Sequence, residues 1–249
     1  MSNLHNQQLP SSTKRNFNNL GVRWLTALLV ARAAGYSVNA SALSLADLSN
    51  KDAASGLKAA LSRGTAAAID SLGKNDGFLG NPLVKIPLPG YMESAAKLLR
   101  NLGQGARVDE LVTSMNRAAE QAVPLAKNLL VKTVEAMSVS DAKNILSGGD
   151  GAVTKFFSEK TRTPLAVQLL PIVNKATERV GLADKYNSLA GKLQPLGLVK
   201  PDDANIQKYI TGKSLDGLYV MIGEEEKKIR KDPIGTGSAL LSKVFGALK

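Results

Sequence analysis

From about residue 45 onward, apolar residues recur at intervals of three and four, the period of a helix with one buried face. Leu57, Leu61, Ala68 and Leu72 form the first stripe, and Ser49 or Asn50 stands where an N-cap is needed. The pattern fails from Gly73 to Gly90, where Pro82, Pro87, Pro89 and repeated glycines predict a long loop. Only Leu83 to Leu88 could run extended there, and Pro87 would confine that stretch to an edge. Pro89 then begins a helix that continues to about Asn101. Asp109 opens the longest helical stretch, to about Met137, with Leu111, Met115, Ala118, Ala119, Ala122 and Leu125 on one face. Pro124 should kink or divide it, because proline removes an internal hydrogen bond. Ser140 is expected to cap a short helix that Gly148 and Gly149 end. The spacing predicts separate helices from Ala152 to Ser158 and from Leu165 to Val180, the second containing Pro171. Another is expected from Leu182 to Leu193. Asp202 or Asp203 would cap a short helix to Ile210. Thr211 would cap a longer one to about Lys231, with Leu215, Leu218, Ile222 and Ile229 inward. Asp232-Pro233 ends it, and Ser238 to Leu248 is the last amphipathic segment. The fold class is therefore all-α: one irregular helical bundle over residues 43–249, with a long Gly/Pro-rich loop and Pro-kinked helices.

Residues 1–42 do not fit that bundle. They contain no Asp or Glu, and they carry Lys14, Arg15, Arg23 and Arg32. An apolar run, Trp24 to Ala31, follows the first basic residues, and Ala40-Ser41-Ala42 supplies a small-residue cleavage site. That order predicts a signal peptide, cut after Ala42, and a periplasmic mature protein. Thr13-Lys14-Arg15-Asn16-Phe17 has the form of a weak twin-arginine signal, so either that route or the general secretory one is open. The apolar run is too short for a mature membrane anchor, for which about 18 residues are needed.

Export changes the chemistry available. The chain has no cysteine, and its single histidine, His5, lies in the leader. The mature protein would lack the commonest general base near neutral pH, the thiolate nucleophile and the usual zinc ligands. Its formal charge would fall from +11 to +7, with 28 Lys and Arg against 21 Asp and Glu. A basic surface suits anionic partners. Nucleic acid is a poor one, because the charges are dispersed, aromatics make up only 4% of the chain and export would separate protein from target.

Seven phrases occur in order along the chain. They are Gly56-Leu57-Lys58-Ala59-Ala60-Leu61, Asp76-Gly77-Phe78, Lys85-Ile86-Pro87-Leu88-Pro89, Asn116-Arg117-Ala118-Ala119-Glu120, Asp141-Ala142 with Ile145-Leu146, Lys213 to Tyr219, and Ile229 to Pro233. In these the chain resembles an exported bacterial family catalogued as a domain of unknown function, numbered forty-one ninety-seven, across about residues 47–247. The resemblance implies a helical domain behind a signal peptide and implies no particular activity or cofactor. Family members often carry Arg in the turn after Asp-Pro, whereas Ile234-Gly235-Thr236-Gly237 has none.

Candidate chemistry is sparse, and no catalytic or metal site is assigned. Asn116, Arg117 and Glu120 occupy successive turns beside an Ala-rich stripe, so burial would demand partners for them. Arg230 and Asp232 are the expected ones. The set is either a polar floor for a ligand headgroup or a network that locks helices together. Phe156, Phe157 and Tyr219 either fill the core or line an apolar groove opened by helix kinks. Ser55 and Lys58 match S-x-x-K but lack the companion motifs of penicillin-binding proteins. Glu93 near a helix start could serve as an acid in glycan cleavage or simply favour the helix dipole. Asn75-Asp76-Gly77 and Gly148 to Gly151 read as turns, and Glu224 to Lys228 as a solvated face. Gly235-Thr236-Gly237-Ser238 could hold an anion on its amides. The functional expectation is a non-catalytic envelope protein that binds an amphipathic, lipid-like ligand or a partner protein. An enzyme acting on envelope glycan through a carboxylate such as Glu93 or Glu120 and a purely structural role are the alternatives.

Overall fold

A computed structural model describes residues 44–186 and 205–249, which belong to one compact unit spanning 41–249. The leader with Ala40-Ser41-Ala42, the helix expected to reach Leu193 beyond residue 186, and the caps Asp202 and Asp203 lie outside the described residues. Among the described residues there is helix and no strand. After a short 3-10 turn at Leu45–Asp47 come α1 (Asn50–Leu72), α2 (Gly90–Asn101), α3 (Gly105–Leu125), α4 (Lys127–Ala136), α5 (Ala142–Ser147), α6 (Ala152–Arg179), α7 (Ile206–Lys231) and α8 (Ala239–Gly246). Residues 182–186 are also helical.

The helix α1 starts as its sequence requires, with Ser49 Oγ accepting the Asp52 amide at 2.9 Å. Its stripe of Leu57, Leu61, Ala68 and Leu72 is buried; α1 packs on α7, α6 also packs on α7, and α3 packs on α6. At Gly56 a Cβ would stand 2.6 Å from Val244, so the glycine lets α8 close onto α1. Leu215, Leu218, Ile222 and Ile229 all face inward from α7.

Four boundaries differ from expectation, each for a physical reason. The helix α3 begins at Gly105 rather than Asp109, because Gly103 (φ +73°) turns the chain sharply out of α2. Asp109, one turn in, instead pairs with Arg100 of α2 at 3.0 Å. Pro124 does divide the long stretch: α3 and α4 meet at Ala126. Ser140 is not the cap of α5; Asp141 occupies that position, without a side-chain hydrogen bond. The two helices expected between Ala152 and Val180 are one, α6, which contains both Pro164 and Pro171. No glycine interrupts it, and the buried Thr161 donates to the Phe157 carbonyl at 2.6 Å. The segment before Lys231 is likewise one helix, α7, capped by Asn205 through the Lys208 amide at 2.9 Å. Thr211 lies inside it and bonds the Gln207 carbonyl at 2.7 Å.

The stretch from Gly73 to Pro89 is the expected loop. Residues 85–89 join no strand, yet Ile86 is paired as if in one. The Asn116 side chain accepts the Ile86 N–H at 2.8 Å and donates to the Ile86 carbonyl at 2.9 Å. A side-chain amide on α3 thus takes the place of a neighbouring strand.

Candidate functional site

Two buried glutamates organise the polar interior. Glu120 on α3 is 4% exposed. Its Oε1 accepts the backbone N–H groups of Phe78 and Leu79 at 3.0 and 3.1 Å, and its Oε2 accepts Arg117 at 2.6 Å. Arg117 also reaches Asp76 in the loop at 2.8 Å. The hydrogen bond to Glu120, ahead of the one to Asp76, raises the already high pKa of Arg117. Asp76 itself has φ +63°, a conformation seldom taken by a side-chain-bearing residue. Phe78, bonded in this way, is fully buried against Gly217 of α7, where a Cβ would come within 2.6 Å of its ring.

Glu226 on α7 is 3% exposed and does the same work for α6. That helix starts after Gly151, which has no side chain to cap it. Glu226 supplies the acceptors from another helix. It takes the amides of Val153 and Thr154 at 3.1 and 2.8 Å, the Thr154 hydroxyl at 2.8 Å and Arg230 Nε at 3.0 Å. Arg230 also donates to the Leu146 carbonyl at 3.0 Å and lies over the Phe245 ring at 5.5 Å; its Nη2 has no hydrogen-bond partner. Both oxygens of each carboxylate are thus occupied by donors from the protein itself, backbone amides and an arginine in each case.

The residues singled out from sequence therefore fall in separate places. Asn116, Arg117 and Glu120 act together, fastening the Gly/Pro loop to α3. The expected partners Arg230 and Asp232 do not join them: Arg230 serves Glu226, and Asp232 accepts the Gly235 amide at 2.8 Å. That last bond places a carboxylate of the chain itself on the Gly235 amide, and Ser238 caps α8 through the Leu241 amide at 3.3 Å, so the Gly235 to Ser238 turn is a capping loop. Phe157 and Tyr219 meet edge-on in the core, with ring centres 5.8 Å apart. The Tyr219 hydroxyl bonds Thr161 at 3.0 Å, Arg162 lies over its ring at 5.3 Å, and burial raises its phenol pKa. Phe156, half-buried, lines a surface recess with Ile145, Lys155 and Glu159 instead. Lys58 of the S-x-x-K match donates to the Glu135 carbonyl at 2.7 Å. Among the described residues no group of His, Cys, Asp and Glu could hold a metal, and no helix is long and apolar enough to cross a membrane.

Sequence reasoning missed Glu226, read as part of a solvated face, and Asp76, read only as a turn. The signal for Glu226 was indirect: a long helix opening on Gly-Asp-Gly leaves amides that something distant must satisfy.

Space for a ligand lies outside the core. A void of about 10 Å³ between Val123, Leu130, Leu165, Leu169, Leu215 and Leu218 is large enough for one water at most. A cleft of about 370 Å³ is lined by Lys85, Glu93, Lys97, Arg100 and Asp109. A groove of about 280 Å³ between α6 and α7 is nearly all apolar, formed by Ala166, Val167, Leu170, Thr211 and Gly212 with Lys208 at its rim.

No curated protein and no solved structure gives a significant match to the chain. A family model does match, over residues 47–246, and it covers all eight helices named above. The chain therefore belongs to the family described as protein of unknown function (DUF4197).

Proposed function

We propose that this is a non-catalytic protein of the bacterial envelope, exported by its leader, which binds an amphipathic, lipid-like ligand in the groove between α6 and α7. The carrying observation is the groove itself: an apolar trough of about 280 Å³, open to water, with a lysine at its edge. Its size is close to the lower end for small-molecule sites. Apolar walls suit an acyl chain, and Lys208 suits an anionic headgroup. The sealed interior and the two saturated glutamates support a binding role over a catalytic one.

The cleft containing Glu93 and Asp109 is the feature that suits the alternative, carboxylate-based glycan cleavage. Asp109 is paired with Arg100, and Glu93 is exposed, so the cleft holds no buried pair of facing carboxylates.

Titration with a fluorescent fatty acid tests the proposal. Gly212 lies inside a helix with no atom near the position of an added Cβ, so Gly212→Leu should fill the groove without disturbing the fold. Saturable binding that weakens with salt and is lost in Gly212→Leu is expected. Absence of saturable binding, or binding indifferent to Gly212→Leu, refutes the groove as the site.

A further inference from the structure

The outer face of α6 combines an uncharged stretch with an exposed apolar residue. Residues 163–174 carry no charge. Thr163, Pro164, Val167, Leu170, Pro171 and Asn174 follow one another at three and four, so they share one side of the helix. Pro164 and Pro171 are exposed, and Val167 is 70% exposed. Charges stand at both ends of this strip. Lys160 precedes it, Lys175 and Arg179 follow it, and Lys208 lies across the groove, all of them exposed. The nearby acids count for little. Asp216 is taken by Arg162 at 2.7 Å and Lys213 at 3.4 Å, and Glu159 stands 4.0 Å from Lys155. Among the described residues Glu178 opposes the basic ends.

From this we infer that α6 is a docking face for an anionic phospholipid bilayer, with Val167 and its neighbours entering the headgroup boundary and the flanking lysines meeting the phosphates. The inference rests on the groove reading, because it names the source of the amphipathic ligand: the bilayer against which the groove opens. An uncharged strip with basic residues at its ends offers contact to the headgroup boundary and attraction to anionic lipid. The two prolines fit the same depth. Neither Pro164 nor Pro171 has an amide, so the carbonyls of Lys160 and Val167 lack their helical donors. Such carbonyls need water or headgroups and would be costly in hydrocarbon. A second copy of the chain is a poor occupant. In an antiparallel pairing Lys160 of one copy would face Lys175 and Arg179 of the other, and in a parallel pairing like residues would face one another.

The test is flotation of the full chain with vesicles of equal parts phosphatidylglycerol and phosphatidylcholine, and with phosphatidylcholine alone. Wild type should float with the anionic vesicles, less so as salt is raised, and not with the neutral ones. Val167→Asp, and separately Lys160→Glu with Lys175→Glu, should each lower the bound-to-free ratio roughly tenfold or more. Both changes sit at exposed positions, so thermal melts should match wild type. Gly212→Leu should float normally, since it blocks the groove and leaves the face intact. Failure of wild type to float, or flotation of Val167→Asp equal to wild type, overturns the inference; binding carried by residues 1–42 would give the second result. Saturable fatty-acid binding without flotation overturns membrane docking and leaves the groove standing. Flotation that needs Val167, without fatty-acid binding, supports the docking face and refutes the groove.

Discussion

Removing the Glu226 carboxylate should unfasten the start of α6. Four donors converge on it: two backbone amides, the Thr154 hydroxyl and Arg230. In Glu226→Ala the Arg230 side chain, 11% exposed, loses its carboxylate partner. Breaking a buried ion pair from one side costs about 3–5 kcal/mol. Arg230 keeps the Leu146 carbonyl and the Phe245 ring, which pulls the figure toward the lower end. The stranded amides of Val153 and Thr154 pull it upward, at about 1–3 kcal/mol for each one that water cannot reach. A total of about 4 kcal/mol corresponds to a fall in Tm of roughly 8–16 °C for a domain of this size. Glu226→Gln preserves shape but presents an N–H₂ group to at least one amide N–H, so it should fall between alanine and wild type. Urea and thermal melts measure the loss. Hydrogen exchange at Val153 and Thr154 locates it, and those two amides should lose protection before the rest of α6. A double-mutant cycle with Arg230→Ala separates the pair from the cap. The double variant should be less destabilised than the sum of the singles, because no charge is left unpaired. If Glu226→Ala melts within about 1 °C of wild type, the cap across helices is not what holds the start of α6 in place; if the singles add, the pairing with Arg230 is no part of it.

Three further outcomes follow from the same structure. Glu120→Ala frees the Phe78 and Leu79 amides and leaves Arg117 with only Asp76, so it should cost about 3–5 kcal/mol, discounted for the partial exposure of Arg117, and raise hydrogen exchange through the Gly/Pro loop; a melt equal to wild type would show that the loop is held elsewhere. Gly217→Ala drives a Cβ to 2.6 Å from the Phe78 ring and should destabilise by about 1–3 kcal/mol, whereas Gly212→Ala, with open space around it, should be neutral or slightly stabilising; equal effects in urea melts would refute the packing argument. Burial holds the Tyr219 phenol above its ordinary pKa of 10.0, so the folded state keeps its proton when the unfolded chain releases it. The stability this contributes is complete below pH 10 and is lost as pH rises through the folded value. Tyr209 shifts the same way, also through burial, so Tyr219→Phe should flatten only part of the alkaline decline in urea melts taken on either side of pH 10; an unchanged slope would count against it.

The helical class, the loop and most helix ends were legible because they depend on neighbours in sequence. Ser49 and Ser238 cap their helices through an amide three residues on, and the Gly/Pro run from 73 to 90 cannot propagate a helix. The apolar period marked Leu57, Leu61, Leu215 and Ile222 as inward-facing without any knowledge of what they face. Local signals failed where a distant residue overrode them. Thr211 looked like a cap because nothing nearby shows that Asn205 has already started the helix. The stretch between Ser158 and Leu165 looked like a break because nothing nearby shows that Phe157, Thr161 and Leu165 are all buried on one continuous helix. The polar interior lay further out of reach. Asn116, Arg117 and Glu120 could be picked out from their place beside an Ala-rich stripe, but their partners could not. Those partners are amides at residues 78, 79 and 86, and backbone amides look alike in every sequence. Glu226 was hidden among Glu224 to Lys228 for the same reason. Charge and period describe a residue's own side of a helix; which carboxylate is buried depends on the helix start that packs over it, and that is decided only when α6 and α7 come together.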